Sequence, residues 1–129
     1  MEIPKDLLYT EEHEWIRVKG SRGIIGVTKF AQEQLGDVVF VEVPQTSTHI
    51  TQGETFGVVE SVKTVSDLYG PVSGSVVAVN KELETHPDLV NKDPYGKGWM
   101  IEVEFSSSEE LKTLLTPEQY AGRIKEETA

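Results

Sequence analysis

The chain has no cysteine, so its own side chains form no disulfide, thiolate nucleophile or thiolate metal site. Any sulfur chemistry must arrive on an added group. Long apolar runs are missing too: the hydrophobic residues, 37% of the total, are broken into strand-length pieces, and none approaches the ~20 residues that cross a bilayer. Basic residues are scarce, with 12 Lys and Arg against 22 Asp and Glu and a formal net charge of −10. Binding DNA or RNA normally needs cations that displace condensed counterions, so nucleic acid is disfavoured. Proteins with cationic docking surfaces are favoured instead, through a steering effect that fades with salt. Signatures of autonomous catalysis are absent as well. There is no Gly-x-Ser-x-Gly elbow and no His-Glu-x-x-His, and His13, His49 and His86 are scattered. His13 lies between Glu12 and Glu14, but consecutive residues of a strand alternate faces and do not converge on a metal. It reads as a surface histidine. The opening residues Met1-Glu2-Ile3-Pro4-Lys5-Asp6 resemble neither a secretory signal nor a transit peptide, so the cytoplasm is the expected address and no membrane partner is expected.

What is present fits one domain over residues 1–129, since a chain of this length buries roughly two-thirds of its unfolded surface around one core. From about residue 9 to 105, short alternating or apolar runs are punctuated by Gly, Pro and Asn. That predicts a mainly β fold, a flattened barrel or sandwich of antiparallel sheets. In Trp99-Met100-Ile101-Glu102-Val103-Glu104-Phe105 the odd positions predict the buried face and the two glutamates the other. Gly36 to Val41, Gly53 to Val59 and Gly74 to Val79 each open with Gly and continue β-branched, and read as further strands. Trp15, Phe40 and Trp99 sit in strand patterns and are expected in the core. Thr28 to Leu35 predicts a short internal helix, with Thr28 as N-cap and Gly36 at the left-handed C-terminal cap. Two short helices are expected over about 107–125. Ser107 with Glu110 has capping-box spacing, and Thr116-Pro117-Glu118-Gln119 forms a second box with Pro at the first helical position.

The most informative stretch runs from Gly57 to Gly74. Two β-rich runs flank a polar break at Glu60 to Thr64, and Gly70-Pro71 with Ser73-Gly74 forces another turn. Lys63 falls near the tip of the hairpin, on a flexible stem that a modifying enzyme can reach and that can then swing. A lone lysine at a turn is ordinarily a solubilising residue that discourages edge pairing. The surrounding pattern adds more, because Glu60-Ser61-Val62-Lys63, Asp67 and Pro71-Val72-Ser73-Gly74 resemble the acceptor hairpin of lipoyl and biotinyl carriers. Biotin acceptors typically flank the lysine with Met, where this chain has Val62 and Thr64. Lipoyl domains of 2-oxo acid dehydrogenases usually place Asp before the lysine, which is also not found here. Tyr9-Thr10-Glu11-Glu12-His13-Glu14-Trp15, Gly26-Val27-Thr28, Ala31-Gln32, Leu35-Gly36-Asp37-Val38-Val39, Asn91 and Pro94-Tyr95-Gly96-Lys97-Gly98-Trp99 are together similar to the glycine cleavage H-protein family, over about residues 9–120.

That resemblance implies a carrier rather than an enzyme, with lipoate joined as an amide to Lys63 by a lipoate ligase or transferase. It implies three further partners: the pyridoxal-phosphate glycine decarboxylase, the tetrahydrofolate-dependent aminomethyltransferase and dihydrolipoamide dehydrogenase. The arm would carry the aminomethyl group of glycine from the first to the second and be reoxidised by the third. Glu14 and Asp67 match family positions associated with a cleft that shelters the loaded arm, and Glu12 is a further candidate. Without the resemblance each would read as a solvated surface acid. A lipoyl-relay or scaffold protein serving other lipoate-dependent complexes is the alternative.

Overall fold

In the computed structural model, which describes residues 2–128, hydropathy alternation builds two antiparallel sheets. The chain runs β1 (Leu8–Tyr9), β2 (Glu14–Lys19), β3 (Arg22–Val27), α1 (Lys29–Leu35), β4 (Val38–Glu42), β5 (His49–Ile50), β6 (Thr55–Ser61), β7 (Val65–Tyr69), β8 (Gly74–Val79), α2 (Leu89–Lys92), β9 (Ile101–Phe105) and α3 (Pro117–Thr128), with 3-10 turns at Lys81–Glu84 and Ser108–Thr113. One sheet has the order β1-β2-β3-β9-β8-β5 and the other β4-β6-β7. Ile16, Ile25, Val76 and Val103 of the first sheet share a core with Val41, Val59 and Leu68 of the second. The mainly β reading holds as a sandwich, and the sheets do not close into a barrel among the described residues. No described helix is long and apolar enough to cross a membrane.

In β9, Ile101, Val103 and Phe105 are buried and Glu104 is exposed, as alternation predicts. The strand begins later than expected, however. Trp99 precedes it and packs with a second cluster of Leu7, Tyr9, Trp15 and Tyr120, beside the turn from Pro94 to Gly98, whose Pro94 and Tyr95 carbonyls accept from Trp15 and Arg17 of β2. Phe40, unlike Trp15 and Trp99, is not in the core: it is 47% exposed. A register shift between Val38 and Phe40 adds one residue to β4, and a bulge of this kind reverses the alternation downstream. Val38 and Val41 point inward while Val39 and Phe40 face out.

Trp15 is fully buried, and its Nε1 donates to the carbonyls of Val27 at 2.9 Å and Pro94 at 3.1 Å. The ring lies against the bare Cα of Gly26, where a Cβ would stand 2.7–2.9 Å from three ring atoms. Pinned by two hydrogen bonds, the indole has little room to retreat. Gly26→Ala is expected to cost about 1–3 kcal/mol through overpacking, read as a lower urea midpoint. An unchanged midpoint would show that the ring shifts freely.

Helix α1 is bounded as predicted. Thr28 Oγ1 accepts from the Ala31 N–H at 3.2 Å, and Gly36, at φ 78°, donates to the Gln32 carbonyl. Asn91 of α2 locks this end to β4, its Oδ1 accepting from Val38 N at 2.8 Å and its Nδ2 donating to Gly36 O at 2.8 Å. In the tail, Thr116 and Gln119 make the reciprocal bonds of a capping box, with Pro117 opening α3. That helix runs to Thr128, beyond the expected end near 125. The first box is not made. Ser107 caps Glu109 N instead, while the Glu110 carboxylate accepts from Ser73 N and Ser73 Oγ, both at 2.7 Å. Charge-assisted bonds to a turn that needs acceptors outweigh a local cap, and the segment is a 3-10 turn rather than an α-helix.

Candidate functional site: the Lys63 turn and its acid-lined cleft

Residues 62–64 join β6 to β7. Ser61 organises this turn: its N–H donates to the Thr64 carbonyl at 2.8 Å, and its Oγ accepts from Thr64 N at 3.1 Å and Lys63 N at 3.3 Å. Val62 N–H donates to Asp37 O at 3.0 Å, pinning the tip to the segment that enters β4. The backbone is therefore held while the Lys63 side chain is exposed and makes no ion pair among the described residues. Its stem passes the C-cap of α1, where a Cβ on Gly36 would lie 3.4 Å from Lys63 Cε. Only hydrogen occupies that space.

Beside the turn, along β7, runs a cleft of about 470 Å³. Val27, Phe30, Val59 and Leu68 supply apolar walls; Thr64 and Leu35 stand at the Lys63 end. Glu12, Glu14, Asp67 and Glu127 bring carboxylates, and among the described residues no lysine or arginine lines it, although Arg123 Nε lies 3.4 Å from Glu127 Oε2. All three predicted acids thus meet in one cleft, but in different settings. Glu12 and Asp67 are exposed. Glu14 is not a solvated surface acid, being only 1% exposed. It accepts from the Thr10 hydroxyl and, at 3.1 Å, from Tyr69 N–H, so it bridges β2 and β7 across the two sheets. Burial pushes its carboxyl up to about 7, against the opposing pull of the Thr10 and Tyr69 hydrogen bonds.

His13 departs from its reading as a surface residue of a strand. It lies in the turn before β2 with φ 73°, and its half-buried ring bridges α3. Nδ1 is 2.8 Å from Tyr120 Oη, and Nε2 lies 3.2 Å from Glu127 Oε1. Tyr120 Oη is also 2.6 Å from Thr28 Oγ1, and its ring stacks on Tyr9 at 4.4 Å. Burial raises the Tyr120 hydroxyl above its ordinary range, keeping it a neutral hydrogen-bonding link. Sequence reasoning missed Glu127 as a cleft acid. It is 114 residues from His13, and no local spacing signals an encounter made only when α3 docks. Among the described residues no cluster of His, Asp and Glu is arranged to hold a metal.

The arrangement offers an accessible amine on a fixed turn and, next to it, an anionic cleft with apolar walls. The model of the glycine cleavage H-protein family matches residues 7–127. The chain is 60% identical over 125 residues to the glycine cleavage system H protein of Carboxydothermus hydrogenoformans, covering 97% of this chain and 96% of that one. It is 58% identical over 124 residues to the protein of the same name from Symbiobacterium thermophilum, covering 96% and 97%. A crystal structure of a glycine cleavage system H protein from Mycobacterium marinum superposes with a TM-score of 0.88 at 41% identity, covering 95% of this chain and 99% of that one. Matched over nearly its whole length in sequence and in fold, the chain belongs to the glycine cleavage H-protein family.

Proposed function

We propose that this protein is a single-domain lipoyl carrier of the glycine cleavage system, with lipoate held as an amide on Lys63. It takes the aminomethyl group of glycine from glycine decarboxylase to the aminomethyltransferase, and dihydrolipoamide dehydrogenase reoxidises the arm. The protein is not itself an enzyme on this reading, and the cytoplasm is the proposed compartment. The observation that carries the reading is the exposed Lys63 side chain on a pinned turn beside the acid-lined cleft.

The residues fit such an arm. The bare Cα of Gly36 leaves a path for the Lys63 stem, and Thr64 and Leu35 connect that path to the cleft. Lys63 supplies the nucleophile: its amine, having lost a proton, forms the C–N bond to the carbonyl carbon of an acyl adenylate, and adenylate leaves with the electrons of the broken C–O bond. Once bound, the lipoyl group supplies the redox-active sulfur pair that a cysteine-free chain lacks. Tethering presents the cargo to successive partners at high effective concentration. Within the cleft, Val27, Phe30 and Leu68 limit water, while Glu14 and Asp67 offer acceptors to a cationic amine. Glu14, titrating near 7, shifts towards its ionised form when a cation approaches.

The test is glycine–bicarbonate exchange by glycine decarboxylase, with the lipoylated and unmodified forms of this protein added separately. The lipoylated form is expected to stimulate exchange strongly and the unmodified form to leave it near background. Equal rates with both would overturn the carrier reading.

A further inference from the structure

Of the 12 residues of α3 only Tyr120 is buried, with Ile124 partly buried against the same cluster, so polar ties decide where the last turn lies. The chemistry of those ties fixes their direction. An ionised carboxylate only accepts hydrogen bonds, so His13 Nε2, 3.2 Å from Glu127 Oε1 and 3.1 Å from Oε2, carries the ring hydrogen. In the neutral imidazole Nδ1 then accepts, and the Tyr120 hydroxyl at 2.8 Å donates to it. Tyr120 Oη in turn accepts from Thr28 Oγ1 at 2.6 Å, and Thr28 Oγ1 accepts from Ala31 N–H. The result is a hydrogen-bonded chain that runs one way, from the N-cap of α1 to Glu127. Both ends stand at the cleft, since Phe30 and Ala31 of α1 line it and so does Glu127.

His13 is the link that turns this chain towards the cleft. Its backbone is left-handed, with φ 73°, and its ring packs on Phe30 at 4.7 Å. Glu127 also has Arg123 Nε 3.4 Å from Oε2, but that nitrogen makes no hydrogen bond among the described residues. A carboxylate offers roughly four acceptor positions, so some stay open once His13 is served. Fixing a half-exposed glutamate at the end of a helix costs rotamer entropy, and the imidazole supplies the bond that offsets it. We propose that His13 is a positioning residue of the cargo cleft, holding Glu127 where that carboxylate accepts from the amine of the aminomethyl group. Glu127 then joins Glu14 and Asp67 in retaining the cargo, a role that rests on the carrier reading proposed above, and α3 becomes a functional wall rather than a packed tail.

Two measurements use the unmodified protein. Proton–nitrogen correlation spectra of the His13 ring are expected to show the hydrogen on Nε2 and a bare Nδ1; a hydrogen on Nδ1 alone would break the chain and the proposal with it. Amide exchange in the last turns of α3 should quicken in His13→Asn, because Asn tolerates the left-handed backbone but is too short to serve both partners. It should stay at the wild-type rate in Glu127→Gln, whose amide oxygen still accepts from Nε2. A third measurement uses lipoylated protein charged by glycine decarboxylase with glycine and then separated from it, with loss of the aminomethyl group followed by intact mass. That loss consumes one water, frees formaldehyde and ammonia, and leaves the thiol. Glu127→Gln and His13→Asn are each expected to shorten the lifetime about two- to fivefold. The double variant should be no worse than either, because residues acting through one another are not additive. Glu126→Gln makes the same charge change one residue away, outside the cleft lining, and should keep the wild-type lifetime. An unchanged lifetime in Glu127→Gln overturns the cargo role, and a shorter one accompanied by faster α3 exchange would assign the effect to helix docking and overturn it equally. Additive losses in the double variant would show that His13 does not act through Glu127. If the wild type gains no lipoyl group, the carrier reading itself fails, which is seen before any variant is compared.

Discussion

Lys63→Arg is expected to remain unmodified under conditions in which the wild type becomes fully lipoylated, so the added mass goes from one lipoyl group to none. Arginine keeps the cation and much of the stem, but its guanidinium stays protonated at every accessible pH and has no free electron pair for the acyl carbon. Because Lys63 is exposed and makes no ion pair among the described residues, the substitution should leave the urea midpoint unchanged. That separates loss of the acceptor from loss of the fold. A Lys63→Arg protein that still gains the lipoyl mass would move the attachment to another lysine.

The second large effect is on stability against pH. Glu14 rises from its ordinary 4.5 to about 7 on folding, chiefly through burial. The folded chain therefore holds more protons than the unfolded one between those values. Stability follows the proton difference, so this group's contribution declines as pH rises from about 4.5 to 7 and is fully unfavourable above. At 1.36 kcal/mol per unit, the span is on the order of 3 kcal/mol. Glu14→Gln cannot ionise, yet it retains an acceptor for Tyr69 N–H and gains a donor for Thr10 Oγ1. Urea unfolding at pH 5, 6, 7 and 8 should show the wild type losing stability relative to Glu14→Gln across this window. The many other carboxylates are common to both proteins and cancel in the difference. Parallel pH profiles would show that the buried carboxyl does not carry this penalty.

On the carrier reading proposed above, the same residue serves the cleft. A buried acid of this kind costs stability at neutral pH, and strongly shifted groups gather where sites are built. Its two acceptor contacts tie β2 to β7, so the group that lines the cleft also fixes its width. Glu127 reaches the same cleft from the last turn of α3, held by His13, and makes the C-terminal helix one wall of the site.

Wherever one element controls its own outcome, sequence reasoning succeeded. The Thr28 cap, Gly36 at positive φ, the Thr116–Gln119 box and the buried face of β9 each depend on residues within a few positions, and each formed. The readings that failed depended on distant partners. Glu110 left its local cap for Ser73, 37 residues away. Phe40 was turned outward by the bulge in the β4–β6 ladder, and His13 was drawn to Tyr120, 107 residues on.

By itself, then, the order of residues determined a β-rich chain without cysteine, strongly acidic, with a lysine at a hairpin tip between two strand runs. Turn chemistry and alternation are short-range, and they suffice for that much. Only the tertiary structure decided that Glu14 is buried while Asp67 and Glu12 stay in water, and that Glu127 joins them. It also left four large apolar side chains, Val39, Phe40, Val62 and Val65, exposed on β4, β7 and the turn that carries Lys63. Burial, charge proximity and shared faces are properties of packed surfaces, set by how the two sheets and α3 meet rather than by any spacing along the chain.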